Sequence, residues 1–336
     1  MSAAPHGRLA TVSEMPRSRT TRRRLAAASA LPWVLAAGFR LTGTERGFPL
    51  VPALSFVPYG AATAVLPLAA AVRAGSRTGV LLSGAAGAAL AGAVLSRAGG
   101  RVAAPQWDAD RLRVATVSLR RGLVLPGPVL GLVRRHDVDV LAVAELTPDA
   151  EKALRAAGIE DLLPHAHVIP ARSGSTPSAS GAVWSRRPIR SRGRTPGGFE
   201  QPWVRLATDS GRDVELTAIH TTPPSTSPSA VRTWSDDLAT LPGPERDVLR
   251  VLAGDFNATL DHAALRAVVR RGYADAAWRA GHALAWTWRP LRLPFPRLGH
   301  DHVLVDPRIG VRAVELVRVR GSDHRAVVAD LVLPGS

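Results

Sequence analysis

Long uncharged apolar runs occupy the first hundred positions of the chain, and shorter ones follow. Gly47–Val72 contains 26 residues without a charge, Gly79–Ser96 contains 18, and Leu25–Phe39 contains 15 before Arg40. A helix needs about 20 mostly apolar residues to cross the hydrocarbon core of a bilayer. The pattern therefore predicts about three N-terminal transmembrane helices, near residues 25–44, 47–72 and 79–96.

The shortest run leaves the number of passages open. Arg40 could extend the first span to about Thr44, because its long side chain can reach the bilayer surface. Leu25–Phe39 could instead be a signal-peptide core behind the basic stretch Arg17–Arg24, and whether it is retained or cleaved stays open. It could also lie in the interface beside a two-helix hairpin. Buried helices of a soluble protein are a further alternative.

Prolines interrupt the second apolar run, and small residues recur in the third. The second run contains Pro49, Pro52, Pro58 and Pro67, which packed membrane helices tolerate better than soluble ones. In the third run Gly84, Ala88 and Gly92 recur at helical spacing. This spacing predicts a small-residue face for close contact between helices.

Arginines predict the orientation of these helices. Arg17–Arg24 precede the first run, and Arg73 and Arg77 separate the second from the third. Basic residues stay on the cytoplasmic side, so residues 1–24 are expected in the cytoplasm. Three passages would place the rest of the chain outside the membrane, whereas a hairpin would leave it in the cytoplasm.

A polar linker, residues 98–110 with a boundary near Pro105, leads into a region of different periodicity. Helix-like stretches there alternate with short apolar runs, which indicates a layered α/β domain over residues 111–334. The predicted strands are Leu112–Ser118, Val138–Ala144, Gly181–Trp184, Val214–Ile219, Val248–Ala253, His302–Val305 and Ala326–Leu331. The predicted helices include Pro148–Ala157, Ser229–Leu241 and Asp261–Arg271.

Composition removes some functions and weakens another. The chain has no cysteine, which excludes disulfide scaffolds, thiol catalysis and Cys-ligated metal sites. Its net charge of +16 would suggest nucleic acid. However, all 43 basic residues except Lys152 are arginine, and residues 1–100 carry 11 of them against Glu14 and Glu45. More than half of the excess positive charge thus lies in the first hundred residues, where we interpret it as an orientation signal. The remaining charge is weak evidence about binding partners.

Acidic residues, histidines and an asparagine lie where the predicted strands end. Taken singly, an acid there is more often a helix cap or a surface ion partner. Together at strand ends they could converge on one site that suits a divalent cation and a phosphate. They are Glu145, His220, Asp255 and Asn257 in Gly254-Asp255-Phe256-Asn257, Asp301, and Asp323 and His324 in Gly321-Ser322-Asp323-His324.

The order of these residues resembles that of the endonuclease/exonuclease/phosphatase superfamily, the metal-dependent phosphoesterases related to DNase I and to apurinic endonucleases. The resemblance covers about Arg111 to Leu333 and rests mainly on the GDFN and SDH motifs. It implies a DNase I-like four-layered α/β sandwich, two packed sheets flanked by helices, with a site at one end. Glu145 would be the principal ligand of Mg²⁺ (or Mn²⁺), with Asp323 a second acid nearby.

The remaining roles are carried over residue by residue. The resemblance implies that Asp255 orients or deprotonates the attacking water and that Asn257 steadies the phosphate. His324 would bind a phosphoryl oxygen, with Asp301 orienting it and raising its pKa. His220 would contact the phosphate or serve the leaving group as an acid.

One position departs from the family pattern. The first strand usually ends in an asparagine that contacts the metal or phosphate, and Ser118 stands there in this chain. Its hydroxyl could bind through water, and the nearby Arg121 could add affinity for phosphate. An active enzyme is expected, and a degenerate, non-catalytic one is the alternative.

Tethering restricts the substrate, because a domain directly behind membrane helices samples the outer leaflet. The chain resembles the membrane-anchored members associated with glycopeptide resistance, for which a role in undecaprenyl-diphosphate hydrolysis is implied. The expected partners are the lipid bilayer and a lipid-linked (polyprenyl) diphosphate. A surface nuclease is the runner-up and predicts arginines grouped in a groove beside Glu145 and His324. A non-catalytic envelope protein that binds phosphate-bearing ligands is the third reading.

Overall fold

The computed structural model describes residues 19–98, 100, 110–209 and 211–335. Nearly all of the predicted linker and most of the basic N-terminus lie outside these residues. Six helices precede the α/β region: α1 (Arg19–Ala28), α2 (Leu31–Thr42), α3 (Leu50–Ala53), α4 (Val57–Thr63), α5 (Val65–Arg73) and α6 (Arg77–Leu95). Helices α1 and α2 together, and α6 alone, are long and apolar enough to cross a membrane.

The second apolar run is broken where prolines interrupt its hydrogen bonding. Its two helical parts, Leu50–Thr63 and Val65–Arg73, meet at an angle of 46°. Pro67 lies four residues after Thr63, and a proline ring clashes with the carbonyl four positions earlier. The bent pair supplies a third span only if both parts count as one.

The predicted small-residue face of α6 is wrong. Gly84 and Gly92 have no neighbouring atom within 4 Å of where a Cβ would stand. The packed face carries Ser83 and Leu90 instead, and at Gly87 an added Cβ would lie 3.0 Å from Ala64. Alanine and glycine recur so often in this helix that their spacing fits more than one face.

The α/β region contains two six-stranded mixed sheets. The first has the order β11-β12-β1-β2-β4-β3 and the second β5-β6-β7-β8-β10-β9. The strands are β1 (Arg111–Ser118), β2 (Val140–Leu146), β3 (His165–Ile169), β4 (Ser180–Ser185), β5 (Ile189–Thr195), β6 (Gln201–Leu206), β7 (Val214–His220), β8 (Leu249–Asp255), β9 (Ala274–Asp275), β10 (Asp301–Val305), β11 (Gly310–Arg318) and β12 (Arg325–Val332).

Apolar side chains bury both faces of the central strands. One core lies between the sheets, and two further cores lie beneath the helices on their outer faces. Those helices are α7 (Pro126–Arg135), α8 (Pro148–Ala156) and α9 (Ile159–Leu162) on the first sheet, and α10 (Pro228–Thr240) and α11 (Ala263–Arg270) on the second; the short α12 (Ala276–Arg279) follows β9. These layers are consistent with the predicted DNase I-like sandwich.

The seven predicted strands all occur, because each is a continuous buried run. The strands missed by the pattern are shorter or more exposed. Ile189–Thr195, for example, carries three arginines and exposes most of its side chains. Helix Pro126–Arg135 was also missed, since its two prolines and two glycines obscure the helical period.

Asp261 joins the N-terminal helices to the α/β region. Its side chain is fully buried and forms ion pairs with Arg40, at 2.8 Å, and with Arg97. Arg40 was expected to extend toward the bilayer surface, but its guanidinium lies on a carboxylate of the α/β region. The ends of α2 and α6 therefore both meet the α/β region at one residue.

Further contacts extend this junction. Val51 of α3 packs into the core beneath α10 and α11, and its carbonyl lies 3.0 Å from Nε2 of the buried His262. The Tyr59 hydroxyl accepts a hydrogen bond of 2.7 Å from the backbone N–H of Arg297. The helices thus contact both α11 and the loop before β10.

Removing the charge of Asp261 tests the junction. Asp261→Asn leaves Arg40 and Arg97 without their carboxylate, and breaking a buried ion pair costs about 3 kcal/mol. The thermal unfolding midpoint of the full chain in detergent should fall by several degrees. Asp236→Asn, at an exposed acid on α10, is the control and should leave the midpoint unchanged. Equal midpoints for both variants would contradict an anchoring role for Asp261.

Candidate active site

Strand register places three of the predicted site residues side by side at the end of the second sheet. His220 pairs with Asp255 across β7 and β8. Asp255 pairs with Asp301 across β8 and β10. All three are buried, at 4%, 3% and 6% exposure. The register thus makes one row of an imidazole and two carboxyl groups.

The first sheet contributes a second group at the same end. Ser118 ends β1 beside Ala144, which immediately precedes Glu145 on β2. The Ser322 hydroxyl donates to the Ser118 carbonyl at 2.8 Å and accepts from the backbone N–H of His324 at 3.0 Å. His324 then reaches across to the second sheet, so both sheets contribute to one site.

Unusual backbone conformations concentrate here. Glu145 and Asn257 have backbone φ angles of 56° and 45°, in the left-handed region that residues other than glycine rarely adopt. Arg120 and Arg121 share this region at 50° and 55° and precede Gly122. This turn directs the Arg121 N–H to a Glu145 carboxylate oxygen at 2.5 Å. Strain held at these positions is typical of a functional site.

His324 and Asp301 form a buried charged pair. Nδ1 of His324 lies 2.8 Å from an Asp301 oxygen, and Nε2 lies 3.9 Å from an Asp255 oxygen. Although burial opposes the charge, Asp301 and Asp255 raise the pKa of His324 to about 10. The imidazole is therefore a cation at neutral pH whose Nε2–H points toward Asp255.

Asp255 lies between that cation and Asn257. Burial raises the pKa of Asp255 to about 8, although the positive His324 acts in the opposite direction. The Asn257 backbone N–H donates to Asp255 at 2.8 Å, and the Asn257 side-chain amide donates to the Thr221 carbonyl at 2.8 Å. A carboxyl group with this pKa is largely protonated at neutral pH, so Asp255 can take a proton from water only in its ionised form, which a nearby positive charge favours.

His220 carries no charge at neutral pH. Burial, and then the positive charge of His324, lower the pKa of His220 to about 3. Its ring packs on Phe199 with centroids 4.4 Å apart, and Nδ1 is buried without a hydrogen-bond partner among the described residues. A neutral imidazole of this kind is suited to hydrogen bonding with a ligand more than to acid catalysis.

Three oxygen-bearing side chains could hold a metal. Burial raises the pKa of Glu145, while His324 acts in the opposite direction. The Ser118 hydroxyl and Oδ1 of Asp323 are buried and find no hydrogen-bond partner in the described part of the chain. Oxygen donors of this kind fit a hard divalent cation such as Mg²⁺ or Mn²⁺.

Asp255, Asp301 and His324 also form a group with metal-ligand spacing, their ligand atoms lying within 4.8 Å of one another. Nδ1 of His324 is already engaged by Asp301. Asp255 and the free Nε2 side of His324 therefore face the site, and Asp301 lies behind the imidazole.

Several supporting residues had no predicted role. Trp288 donates its indole N–H to Asp323 at 3.2 Å, and the Thr287 hydroxyl oxygen accepts the Asp301 N–H at 2.9 Å. Phe199 and Ser322 orient the two histidines. Ser322 belongs to the SDH motif, but the roles of all four residues depend on contacts between distant segments, which no local motif signals. Arg121 contributes its backbone to the site, while its side chain is exposed.

Comparisons with known proteins show what the chain resembles. The Endonuclease/Exonuclease/phosphatase family matches residues 101–324. No curated protein matches the chain. Among solved structures, the chain is similar to a humanized D. rerio TDP2 carrying 14 mutations, with a TM-score of 0.53, 13% identity, and coverage of 66% of this chain and 98% of that chain.

Two other solved structures are similar in the same way. D. rerio TDP2 complexed with a single-strand DNA product has a TM-score of 0.50, 13% identity, and coverage of 66% and 98%. An endonuclease/exonuclease/phosphatase from Beutenbergia cavernae DSM 12333 has a TM-score of 0.50, 21% identity, and coverage of 67% and 72%. At these identities the likeness concerns the fold.

The fold and the buried site of carboxylates and histidines define a hydrolase that acts on phosphate esters. The chain belongs to the endonuclease/exonuclease/phosphatase family. Members of this family typically depend on a divalent metal, and the chain has an acidic and histidine-containing group that could hold one.

Removing the charge of Asp301 tests the His324 pair. Because Asp301 raises the pKa of His324, Asp301→Asn should let the imidazole lose its proton at a lower pH. We expect kcat on a phosphodiester dye to fall about 100-fold at neutral pH. We also expect the alkaline loss of kcat/KM to begin at a lower pH than in the wild type. Asp275→Asn, at the partner of His302, is the control, and an unshifted alkaline limb in Asp301→Asn would contradict the pairing.

Proposed function

We propose that the chain is a membrane-anchored, metal-dependent phosphoesterase whose preferred substrate is a lipid-linked (polyprenyl) diphosphate at the outer membrane face. The observation that carries this proposal is the junction at Asp261. Through it, the ends of two apolar helices meet the region that holds the site. A site attached in this way stays close to lipid headgroups.

The exposed surface of the helices supports membrane insertion. Large apolar side chains point outward along their length, as at Leu31 (55% exposed), Leu66 (63%) and Leu81 (73%). Such a surface is costly in water and stable in hydrocarbon. We therefore infer two spans, or three where the bent pair α3–α5 counts as one.

The charge distribution supports an outward-facing site. Arg23, Arg24 and Arg77 line a cavity where α1 approaches the start of α6, and the α/β region meets the opposite ends of α2 and α6. Basic residues remain on the cytoplasmic side of a membrane. With three spans, this arrangement supports a location of the α/β region outside the membrane.

The chemistry follows from the protonation states. Asp255 in its ionised form, which higher pH and a nearby bound cation both favour, would accept a proton from a water molecule whose oxygen forms the new bond to phosphorus. The bond to the leaving oxygen breaks, and its electron pair stays on the leaving group. His324, as an imidazolium, would donate a hydrogen bond to a phosphoryl oxygen and stabilise the growing negative charge. Asn257 and the neutral His220 would orient the phosphate.

Glu145 and Asp323 would hold the divalent cation, with Ser118 near it through water. When bound, the cation supplies positive charge that neutralises the phosphate oxygens. Ser118 is a weaker ligand than the asparagine common in the family, yet its hydroxyl is buried without a partner among the described residues, and its backbone pairs with Ala144, next to Glu145. This placement supports an active enzyme over a degenerate one.

A nuclease is the second candidate, and a specific observation favours it. Arg289, Arg318 and Arg325 line a cavity together with His324. The fold is also shared by D. rerio TDP2, solved with a single-strand DNA product. Against this, the cavity is only about 320 Å³, whereas duplex DNA spreads its charge along the whole helix axis. The cavity suits one compact anion.

A substrate panel tests the proposed function. The full chain in detergent, with Mg²⁺ or Mn²⁺, is given a polyprenyl diphosphate, a phosphodiester dye and duplex DNA. Phosphate release should be fastest from the lipid, and Glu145→Ala or His324→Ala should lower it at least about 100-fold. DNA nicking with the lipid untouched would favour the nuclease. No turnover of any substrate would favour a binding protein.

The absence of cysteine allows a direct test of topology. Ser191→Cys, on the exposed strand β5, should react with a membrane-impermeant maleimide in intact cells. Thr78→Cys, at the exposed start of α6, should react only after the cells are permeabilised. The wild type is the unlabelled control. The reverse pattern would place the site in the cytoplasm.

A further inference from the structure

Three guanidinium groups surround one tryptophan next to the site. The Cζ atoms of Arg325, Arg297 and Arg289 lie 3.5, 5.3 and 6.0 Å from the centre of a Trp286 ring. A ring stabilises a cation over each of its two faces, by about 0.5–1 kcal/mol at exposed sites. Cation–π attraction to one ring does not explain why three mutually repelling guanidinium groups lie around it.

A fourth arginine increases the repulsion. Arg318 lies directly opposite Arg325 where β11 pairs with β12. Like charges directly opposite each other on neighbouring strands destabilise a sheet. The surrounding arginines lower the pKa of Arg325, although burial is the larger cause. Such an arrangement is unfavourable unless a negative charge joins it.

Among the described residues no carboxylate pairs with these arginines, although Asp323 lines the same cavity and accepts the Trp288 indole N–H. Within the described ranges, none of Arg289, Arg297, Arg318 and Arg325 forms an ion pair with a carboxylate. Elsewhere in the same region arginines have such partners, as Arg250 has with Glu215 at 2.8 Å. Nε of Arg325 is also buried without a hydrogen-bond partner in the described part of the chain.

The backbone connects this cluster to the site. Arg289 N–H donates to the Asp323 carbonyl at 3.1 Å, and Arg325 N–H donates to the Thr287 carbonyl at 2.6 Å. These bonds flank His324, which shares a cavity of about 320 Å³ with the arginines. We call this cavity, lined by Arg289, Arg318, Arg325 and Trp286, the arginine groove.

The groove also borders the membrane-facing side. The loop from Arg289 to Arg297 contacts Tyr59 of α4, whose ring meets Phe295 edge-on at 6.3 Å. This loop exposes Leu291, Leu293 and Phe295 by 40%, 55% and 57%. An anion that occupies the groove can therefore remain attached to an apolar chain lying in the bilayer.

We propose that the arginine groove is a second phosphate subsite, which holds the lipid-attached phosphate of a diphosphate while the terminal phosphoryl group is cleaved beside His324. This subsite rests on the proposed function and assigns the residues that would hold the second phosphate of its diphosphate substrate. Guanidinium groups suit the role, because their donors match phosphate oxygens in pairs.

The subsite also assists bond cleavage. Water forms the new bond to the terminal phosphorus, and the bond from that phosphorus to the bridging oxygen breaks. The electron pair stays on the bridging oxygen, which leaves as part of the lipid monophosphate, while the proton of water passes to Asp255. The arginines stabilise the charge that grows on the leaving phosphate.

Binding without turnover gives the first test. The metal-free full chain in detergent is titrated by calorimetry with methylenediphosphonate and with inorganic phosphate. The diphosphonate should bind at least about ten-fold more tightly, and Arg289→Gln/Arg318→Gln should remove that difference. Arg134→Gln, at an exposed arginine on α7, is the matched control. Equal binding of both anions by the wild type would overturn the proposal, whatever the hydrolysis assays show.

Kinetics gives the second test and identifies the source of the diphosphate. The double variant should raise KM for farnesyl diphosphate about ten-fold and KM for a one-phosphorus ester less than about three-fold. Inorganic diphosphate should have a higher KM than farnesyl diphosphate, because it lacks the apolar chain.

If the double variant misfolds, the single variant Arg318→Gln, at an exposed position, replaces it. Equal KM increases for both substrates, or tighter binding of a DNA duplex than of the diphosphonate, would contradict the subsite.

Discussion

The active site depends on one physical constraint, which is that two buried carboxyl groups need a cation between them. Asp255 and Asp301 lie in register on adjacent strands, and His324 crosses from the other sheet with its two ring nitrogens facing them. The two carboxyl groups keep the imidazole charged, and burial raises the pKa of Asp255 although the imidazolium acts in the opposite direction. The two sheets must therefore meet at this end for the site to exist, which links the fold directly to the chemistry.

A second buried pairing links that site to the N-terminal apolar helices. Asp261 follows the Asp255–Asn257 turn closely in sequence and forms ion pairs with Arg40 and Arg97. The segment with Asp255, the proposed base, thus leads directly to Asp261, which contacts the N-terminal helices. Because the arginine groove adjoins both His324 and the loop on Tyr59, arginines and then exposed apolar side chains follow one another from the site toward α4.

The sequence predicts the central strands and the site residues at their ends, because buried runs and the GDFN and SDH motifs are local signals. Register, which makes His220, Asp255 and Asp301 neighbours, depends on the whole sheet. The left-handed φ of Glu145 has no local cause in the sequence, whereas asparagine, as at position 257, adopts this region more readily. The arginine groove joins segments around residues 286–297 and 318–325, and in a chain so rich in arginine their meeting is not visible before folding. In the Ala/Gly-rich helix α6, repeated small residues made the wrong face look packed.

The central claim is that this phosphoesterase acts on a lipid in its own bilayer. The most direct measurement uses vesicles that contain the full chain and Mg²⁺ or Mn²⁺, with a polyprenyl diphosphate placed either in the same vesicles or in separate protein-free ones. The account predicts that phosphate release depends on the mole fraction of lipid in the shared bilayer and is nearly absent for the separate vesicles. Equal release from both preparations would contradict it, because the anchor would then confer no access to the substrate.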